Sequence, residues 1–267
     1  MKWDSTLGEL LGPARAKKFA GVTLTNVMSH RAGLPPDPGG RTTGAPGESI
    51  TVVRRRVVDA ALSGEPLYPA GAGYQYSNLD YILLGSILEQ LDEKTGRAWE
   101  DIVRDEIFTP LKLTSAGFGP PGTVGAITQP RGHQANGATL VPVEPGPFAD
   151  NPPIYGPAGT IHLSIADLAR WGQEHLRGER GEDGILKTAT FKILHTPPVT
   201  PGDYALGWVS QTKNGQRVIW HNGSNTLWYA IVAFNAATDK GVVLVTNGSI
   251  NARLGLDALA FQYLTER

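Results

Sequence analysis

The hydrophobic pattern of this 267-residue chain changes period once, near Pro201. Before that point apolar residues recur at helical spacing between loops rich in proline and glycine. After it, short apolar runs follow one another across tight-turn signals. Helices that come first and neighbouring strands that come last imply an antiparallel sheet packed by helices, an α+β architecture. Residues 1–200 are therefore expected to form a mainly helical lobe with loops, and residues 201–267 antiparallel strands and a closing helix. With no clean linker and no internal repeat, 1–267 is read as a single domain.

The first helix is expected around Leu7, Leu10 and Leu11, and another after Thr23, stopping at Gly33. Residues 35–47 hold four prolines and four glycines, too few apolar groups for an element, and read as an exposed loop. From Ser49, the residues Ile50, Val53, Val57 and Leu62 keep one helical face, with Gly64 suited to the left-handed position beyond the helix end. Asn78 is expected to cap the next helix, whose Ile82, Leu83, Ile87, Leu88 and Leu91 make a broad apolar face before Thr95-Gly96. A further helix is expected from Trp99 to Phe108. Residues 120–157 read as a long irregular excursion with a short hairpin at Asn136-Gly137. Ser164 and Asp167 form a capping pair ahead of Leu168 and Trp171, and Gly178 is expected to end that helix.

Beyond Pro201, Tyr204 to Gln211 and Gln216 to Trp220 flank the turn pair Asn214-Gly215, a hairpin signal. Leu227 to Phe234 and Val242 to Thr246, joined through Asp239-Lys240-Gly241, form a second hairpin. Ala252 to Leu264 reads as the closing amphipathic helix.

Composition removes several function classes. A formal net charge of −1 with scattered Lys and Arg leaves no footprint for nucleic acid or an anionic membrane. The absence of cysteine excludes disulfides, thiolate catalysis and Cys-based zinc sites. His133, His162, His175 and His195 lack metal-ligand spacing, so no metal site is expected, and His30 is read as shaping the turn before Gly33. No phosphate loop or dinucleotide fingerprint is present, so no cofactor is implied. The start, Met1-Lys2-Trp3-Asp4-Ser5, has no apolar signal core and no stretch matches a bilayer span. The compartment is left open: cytoplasmic by default, periplasmic or extracellular if a segment precedes Met1.

Two short motifs carry chemistry. In Tyr76-Ser77-Asn78, a residue fixing the start of a buried helix aims the phenol, which near a cation serves as a general base. In His221-Asn222-Gly223, at a strand edge, the imidazole can donate to a carboxylate or polarise a hydroxyl, while glycine admits a substrate backbone. Ser77, Gly223 and Ser224 beside them are candidate substrate contacts.

Around these motifs lies an ordered series. It runs from Thr23-Leu24-Thr25-Asn26-Val27-Met28-Ser29-His30-Arg31-Ala32-Gly33-Leu34-Pro35 through Gly85, Pro110-Leu111-Lys112-Leu113, Ala158-Gly159 and Tyr204-x-x-Gly207-Trp208 to His221-x-Gly223. The series resembles the penicillin-recognising serine hydrolases, in the class C β-lactamase-like branch with D-alanyl-D-alanine carboxypeptidases, D-amino-acid peptidases and family VIII esterases. The first segment looks like that family's T-H-x-S-G-L-P, with Ala32 where serine is usual. The resemblance implies a β-lactamase/transpeptidase-like fold and hydrolysis of an ester, amide or lactam through an acyl-enzyme. It gives Tyr76 the role of base or proton shuttle, Asn78 a contact to the substrate amide, and His221 and Gly223 the place of the K-T-G-type strand motif. Histidine there looks more like the peptidases and esterases than the efficient lactamases.

The family's nucleophile lies in S-x-x-K at a helix start, so that an ammonium one turn away assists deprotonation of the hydroxyl. Ser5-Thr6-Leu7-Gly8 has no lysine at that offset. Ser210-Gln211-Thr212-Lys213 matches the letters but falls on an expected strand, where residues three apart face opposite ways. The chain is accordingly expected to be an N-terminally incomplete serine hydrolase, inactive alone, whose unpaired last strand favours self-association. A non-catalytic protein binding peptidoglycan-like or D-amino-acid ligands is the alternative, and a hydrolase using Ser77 or Ser224 is a third reading.

Overall fold

The computed structural model describes residues 1–267 apart from 40, 41, 93, 138, 226, 249–252 and 267 and the side chains of 253 and 254. The chain divides into two compact units, residues 1–104 with 152–160, and residues 105–151 with 161–267.

The first unit is helical. Its helices are α1 (Leu7–Leu11), α2 (Pro13–Ala16), α3 (Leu24–Met28), α4 (Ile50–Leu62), α5 (Asn78–Leu91), α6 (Trp99–Val103) and α7 (Gly156–Gly159). The core gathers the faces the periodicity predicts: Val53, Val57 and Leu62 of α4 with Leu79, Ile82, Leu83 and Ile87 of α5, against Leu7, Phe19 and Val27. Leu91 of the expected α5 face is instead 52% exposed. Gly85 is fixed by packing, because a Cβ there would overlap Pro157 of α7. Arg54, fully buried, pairs with Glu89 and with Glu100 at 2.6 Å, so its charge is not left alone in the core.

Several boundaries differ from the expected ones for local reasons. The helix after Thr23 ends at Met28, not at Gly33, because Ser29 Oγ donates to Thr25 O at 2.6 Å and His30 enters the left-handed region at φ 59°. Ser63 takes the C-cap of α4, which puts Gly64 at the expected position, but Gly64 has no positive φ and so is not left-handed. Ser77, not Asn78, caps α5: its Oγ accepts from Asp80 N at 3.2 Å, and Asn78 is the first helical residue. The described residues of 35–47 hold no helix or strand.

Among the described residues the second unit carries three sheets. Strands β1 (Gly117–Phe118) and β4 (Ile161–His162) pair as a short ribbon, and β2 (His133–Asn136) pairs with β3 (Thr139–Pro142) as the expected hairpin. The main sheet has the order β5 (Val209–Lys213), β6 (Gln216–Ser224), β7 (Tyr229–Asn235) and β8 (Lys240–Thr246), all antiparallel. Asn214 and Gly215 both have positive φ, 49° and 76°, as a two-residue turn twisted to suit its strands requires. The stretch before Val209 turns at Gly207, φ 85°, so β5 starts later than the expected Tyr204.

Alternation along β6 and β7 splits the sheet into two covered faces. Val218, Ile231 and Ala233 face α10 (Arg253–Thr265), whose Ala260 and Leu264 are buried there. The expected first residue of that helix, Ala252, lies outside the described residues. Ile219, Val232 and Phe234 face α8 (Ile165–Glu179) and α9 (Thr188–Leu194), with Leu176 and Trp208. α8 and α9, which precede residue 200, fall in the same unit as the strands, because they cover one face of the sheet. On that face His175 and His195 are buried, linked at 2.8 Å, and His195 reaches Glu179 at 2.8 Å.

Ser164 Oγ caps α8 by accepting from Asp167 N, as expected, but the helix continues past Gly178 to Glu179. Gly178 is there because Phe191 of α9 occupies the space a Cβ would need. Gly178→Ala is expected to destabilise the protein by about 2 kcal/mol through overpacking, measured by urea unfolding; a loss below about 0.5 kcal/mol would mean that α9 yields freely.

Candidate active site

Tyr76, Ser77 and Asn78 lie in the first unit and His221, Gly223 and Ser224 in the second. Each set has its own supports.

At the start of α5 the backbone is held from several sides. Ser77 is fully buried; its hydroxyl donates to Pro35 O at 2.7 Å and accepts from Asp80 N. Asn78 N donates to Pro36 O at 2.8 Å and Gln75 N to His30 O at 3.0 Å. Asn78 Nδ2 donates to Asp37 Oδ1 at 2.8 Å, the same oxygen that accepts from Tyr155 O–H at 3.3 Å. Tyr76 is 42% exposed, and its ring lies 4.3 Å, centroid to centroid, from the fully buried His30. Burial, helped by the Asp37 carboxylate, pushes the Tyr76 phenol above its ordinary range. With these neighbours the phenol is protonated at neutral pH, and only a nearby cation would bring it down to a base.

The His30 shell was visible in the sequence only as a turn residue. Its ring also meets Tyr81 at 5.3 Å and Tyr74 at 6.3 Å, and its Nδ1 lies 2.9 Å from Asp80 Oδ2. Asp80 is three residues into α5, so the helical turn that Ser77 caps also carries the carboxyl to His30.

In the second unit His221, Asn222 and Gly223 lie within β6, paired with Val232, Ile231 and Ala230 of β7. On the other side the β5 ladder stops at Val209 with Trp220, so the motif runs past its neighbour. His221 Nδ1–H donates to Asn222 O at 2.6 Å, which leaves Nε2 to accept from Tyr204 O–H at 3.1 Å. Burial lowers the His221 pKa, with the bond to Asn222 opposing, so the ring is neutral at pH 7. Asn222 points to the opposite face and donates to Asp257 Oδ2 of α10 at 3.1 Å; Tyr229 O–H donates to the other oxygen of Asp257. Ser224 Oγ donates to Trp228 O at 2.9 Å. Tyr204 belongs to the quoted series, but its bond to His221 has no signal in the sequence, and Asp257 does not stand out there at all.

The literal S-x-x-K match is structural. Ser210 and Lys213 pair with Ile219 and Gln216 in β5, Ser210 Oγ accepts from Arg217 Nε at 2.9 Å, and Lys213 Nζ lies 4.8 Å above the Phe261 ring. Among the described residues no cluster of His, Asp and Glu could hold a metal ion, and no helix is long and apolar enough to cross a membrane.

A sequence profile of the beta-lactamase family matches residues 1–265. The chain belongs to the beta-lactamase family. This beta-lactamase-family chain is 26% identical over 257 residues to an unguisins hydrolase of Aspergillus campestris, covering 92% of this chain and 46% of that protein. It is 26% identical over 264 residues to penicillin-binding protein 4 of Amycolatopsis lactamdurans, covering 94% and 66%. The chain thus spans about half to two thirds of these relatives. Among solved structures, the octameric penicillin-binding protein homologue of Pyrococcus abyssi superimposes with a TM-score of 0.71 at 17% identity, over 99% of this chain and 62% of that one. A D-stereospecific amidohydrolase of a Streptomyces species gives 0.70 at 20% identity, over 93% and 75%. At these identities the structures establish the shared beta-lactamase-like fold of helices and antiparallel sheet.

Tyr204→Phe removes the donor that favours neutral His221, so the His221 pKa is expected to rise toward its ordinary value. A pH titration of the imidazole signals measures this; an unmoved midpoint would show that the Tyr204 bond does not govern the ring.

Proposed function

We propose that the chain is part of a serine hydrolase that cleaves an ester, amide or lactam through an acyl-enzyme. In this reading the serine and lysine of S-x-x-K are supplied from outside these 267 residues. The observation that carries the proposal is Tyr76: a half-exposed phenol on a backbone fixed by the buried Ser77 and backed by His30. Its phenol lies above the range of a base, and a lysine ammonium is the kind of group that would lower it. Asn78 contacts the substrate amide, exchanging its bond to Asp37 for one to substrate. Ser77, its hydroxyl already used twice, supports the neighbouring residues and is neither nucleophile nor direct substrate ligand.

His221 and Gly223 present the substrate-facing strand, with Ser224 at its end. A neutral His221 offers a substrate carboxylate no full charge, which favours esters and amides over carboxylate-bearing lactams. The D-stereospecific amidohydrolase among the similar structures agrees, by its name, with that side of the range.

The test is intact-mass spectrometry after exposure to a fluorophosphonate ester and to a penicillin. This chain alone is expected to gain no adduct, whereas the coding sequence extended upstream to include S-x-x-K gains one. An adduct on this chain as it stands would overturn the proposal. A true start with no such motif, together with ligand binding and no adduct, would put a binding role in its place.

The same reading makes β8 an edge strand with no strand beyond it among the described residues, and its Val245 is 48% exposed. Self-association of the chain through that edge is expected. Sedimentation should show a mass average that rises with concentration, and a single monomer at all concentrations would contradict it.

A further inference from the structure

His30 Nδ1 is approached by two groups that cannot both be served by a proton on that nitrogen. Ser77 N lies 3.2 Å away with its hydrogen directed at Nδ1, and Asp80 Oδ2 lies 2.9 Å away. A backbone amide can only donate, so Nδ1 must offer its lone pair. The carboxyl oxygen at the same lone pair must then carry hydrogen. If Asp80 were ionised and Nδ1 protonated, the fully buried Ser77 N–H would face another N–H and go unsatisfied.

We infer that Asp80 is a neutral carboxylic acid that donates to His30 Nδ1, and that this uncharged pair is the positioning element for Tyr76. The ring nitrogen gathers the Ser77 amide, one residue beyond Tyr76, and the Asp80 side chain, one turn into α5, while the ring face backs the phenol. The neighbours fit a neutral centre. His30 and Asp80 are 0% and 1% exposed, and the other Asp80 oxygen, Oδ1, is buried with no hydrogen-bond partner, a costly state for a carboxylate. Burial holds the Asp80 carboxyl up at about 9, so it stays protonated through neutral pH.

The groups facing the pair from the surrounding segments are mostly uncharged below that range. Tyr74, Tyr76 and Tyr81 meet the ring, and Tyr68 O–H donates to His30 O at 3.3 Å. The cation nearby, Arg31, has its guanidinium 6.0 Å from the Tyr74 ring and its Nη1 donating to Gly73 O at 3.3 Å. Asp37 lies on the Asn78 and Tyr155 side. An acid that remains neutral adds no negative charge beneath Tyr76, so the phenol can be lowered by a cation without first overcoming a second carboxylate.

The protonation assignment stands on hydrogen-bond geometry alone; its use in positioning Tyr76 rests on the function proposed above for that residue. Nitrogen-15 NMR of the full chain with labelled histidine tests the first part. His30 is expected to show an unprotonated, pyridine-type Nδ1 and a protonated, pyrrole-type Nε2, unchanged between about pH 6 and 8. Asp80→Asn, whose amide can donate in place of the acid, should keep both signals and the melting temperature. A pyrrole-type Nδ1 in the wild-type protein, or histidine signals that change in Asp80→Asn, would overturn the inference.

For the positioning part, the readout is the chemical shifts of the Tyr76 ring at pH 7, where Asp80 is still protonated. Asp80→Ala should move them and Asp80→Asn restore them; ring signals indifferent to both would leave Asp80 merely structural. Should Asp80→Ala fail to fold, the wild-type and Asp80→Asn signals still decide the protonation. A Tyr76 with no part in hydrolysis would leave the histidine pattern as predicted, so the two readings fail separately.

Discussion

The first unit depends on the burial of Ser77. With no exposure to water, every polar group of that residue must find a partner in the protein, and each partner fixes a different segment. The hydroxyl fixes the chain at Pro35 and the first turn of α5, and the amide fixes His30. Removing any one partner would strand a buried donor or acceptor, at a cost of roughly 1–3 kcal/mol. Tyr76 inherits that rigidity, since its neighbour in sequence cannot move.

The second unit reaches similar definition by another route. There β6 is held by its ladder to β7 and by Asp257, which grips Asn222 and Tyr229 from α10. Alternation then sends His221 and Gly223 to the face opposite Asn222. One side chain anchors the strand, and its two neighbours are left for other contacts.

Much of this was legible in the sequence. The change of period at Pro201 foretold the α+β architecture, and Asn136-Gly137 and Asn214-Gly215 marked hairpins because their backbone angles suit few other residues. What escaped were features decided by distant partners. Asn78 looked like the cap because it is a strong capping type; Ser77 won because Pro35 lies within reach of its hydroxyl as well. Gly178 looked like a helix stop, but the side chain of Phe191 reserves its space. That α8 and α9 pack on the strands was not legible either, because they read as helices whatever they pack against. At the site, Tyr76, Asn78, His221 and Gly223 were picked out by motif, and Tyr204 only as part of the longer series, whereas Asp80 and Asp257 had no local signature. His30 was seen only in its turn role, since its contact with Asp80 spans 50 positions.

The stem of the loop over residues 35–47 has a consequence for how this protein can vary. Its start is clamped by the carbonyls of Pro35 and Pro36 to the base of α5, and its end is closed by Glu48, whose Oε2 accepts from Ala45 N at 2.8 Å. Beyond Asp37, which holds Asn78 and acts on Tyr76, changes in length or composition between those clamps transmit little to Tyr76, because lengthening a loop with fixed ends adds only slowly to its entropy. The segment is therefore a natural place for lineages to diverge, or for an engineer to graft a new sequence, while the machinery beneath it stays the same.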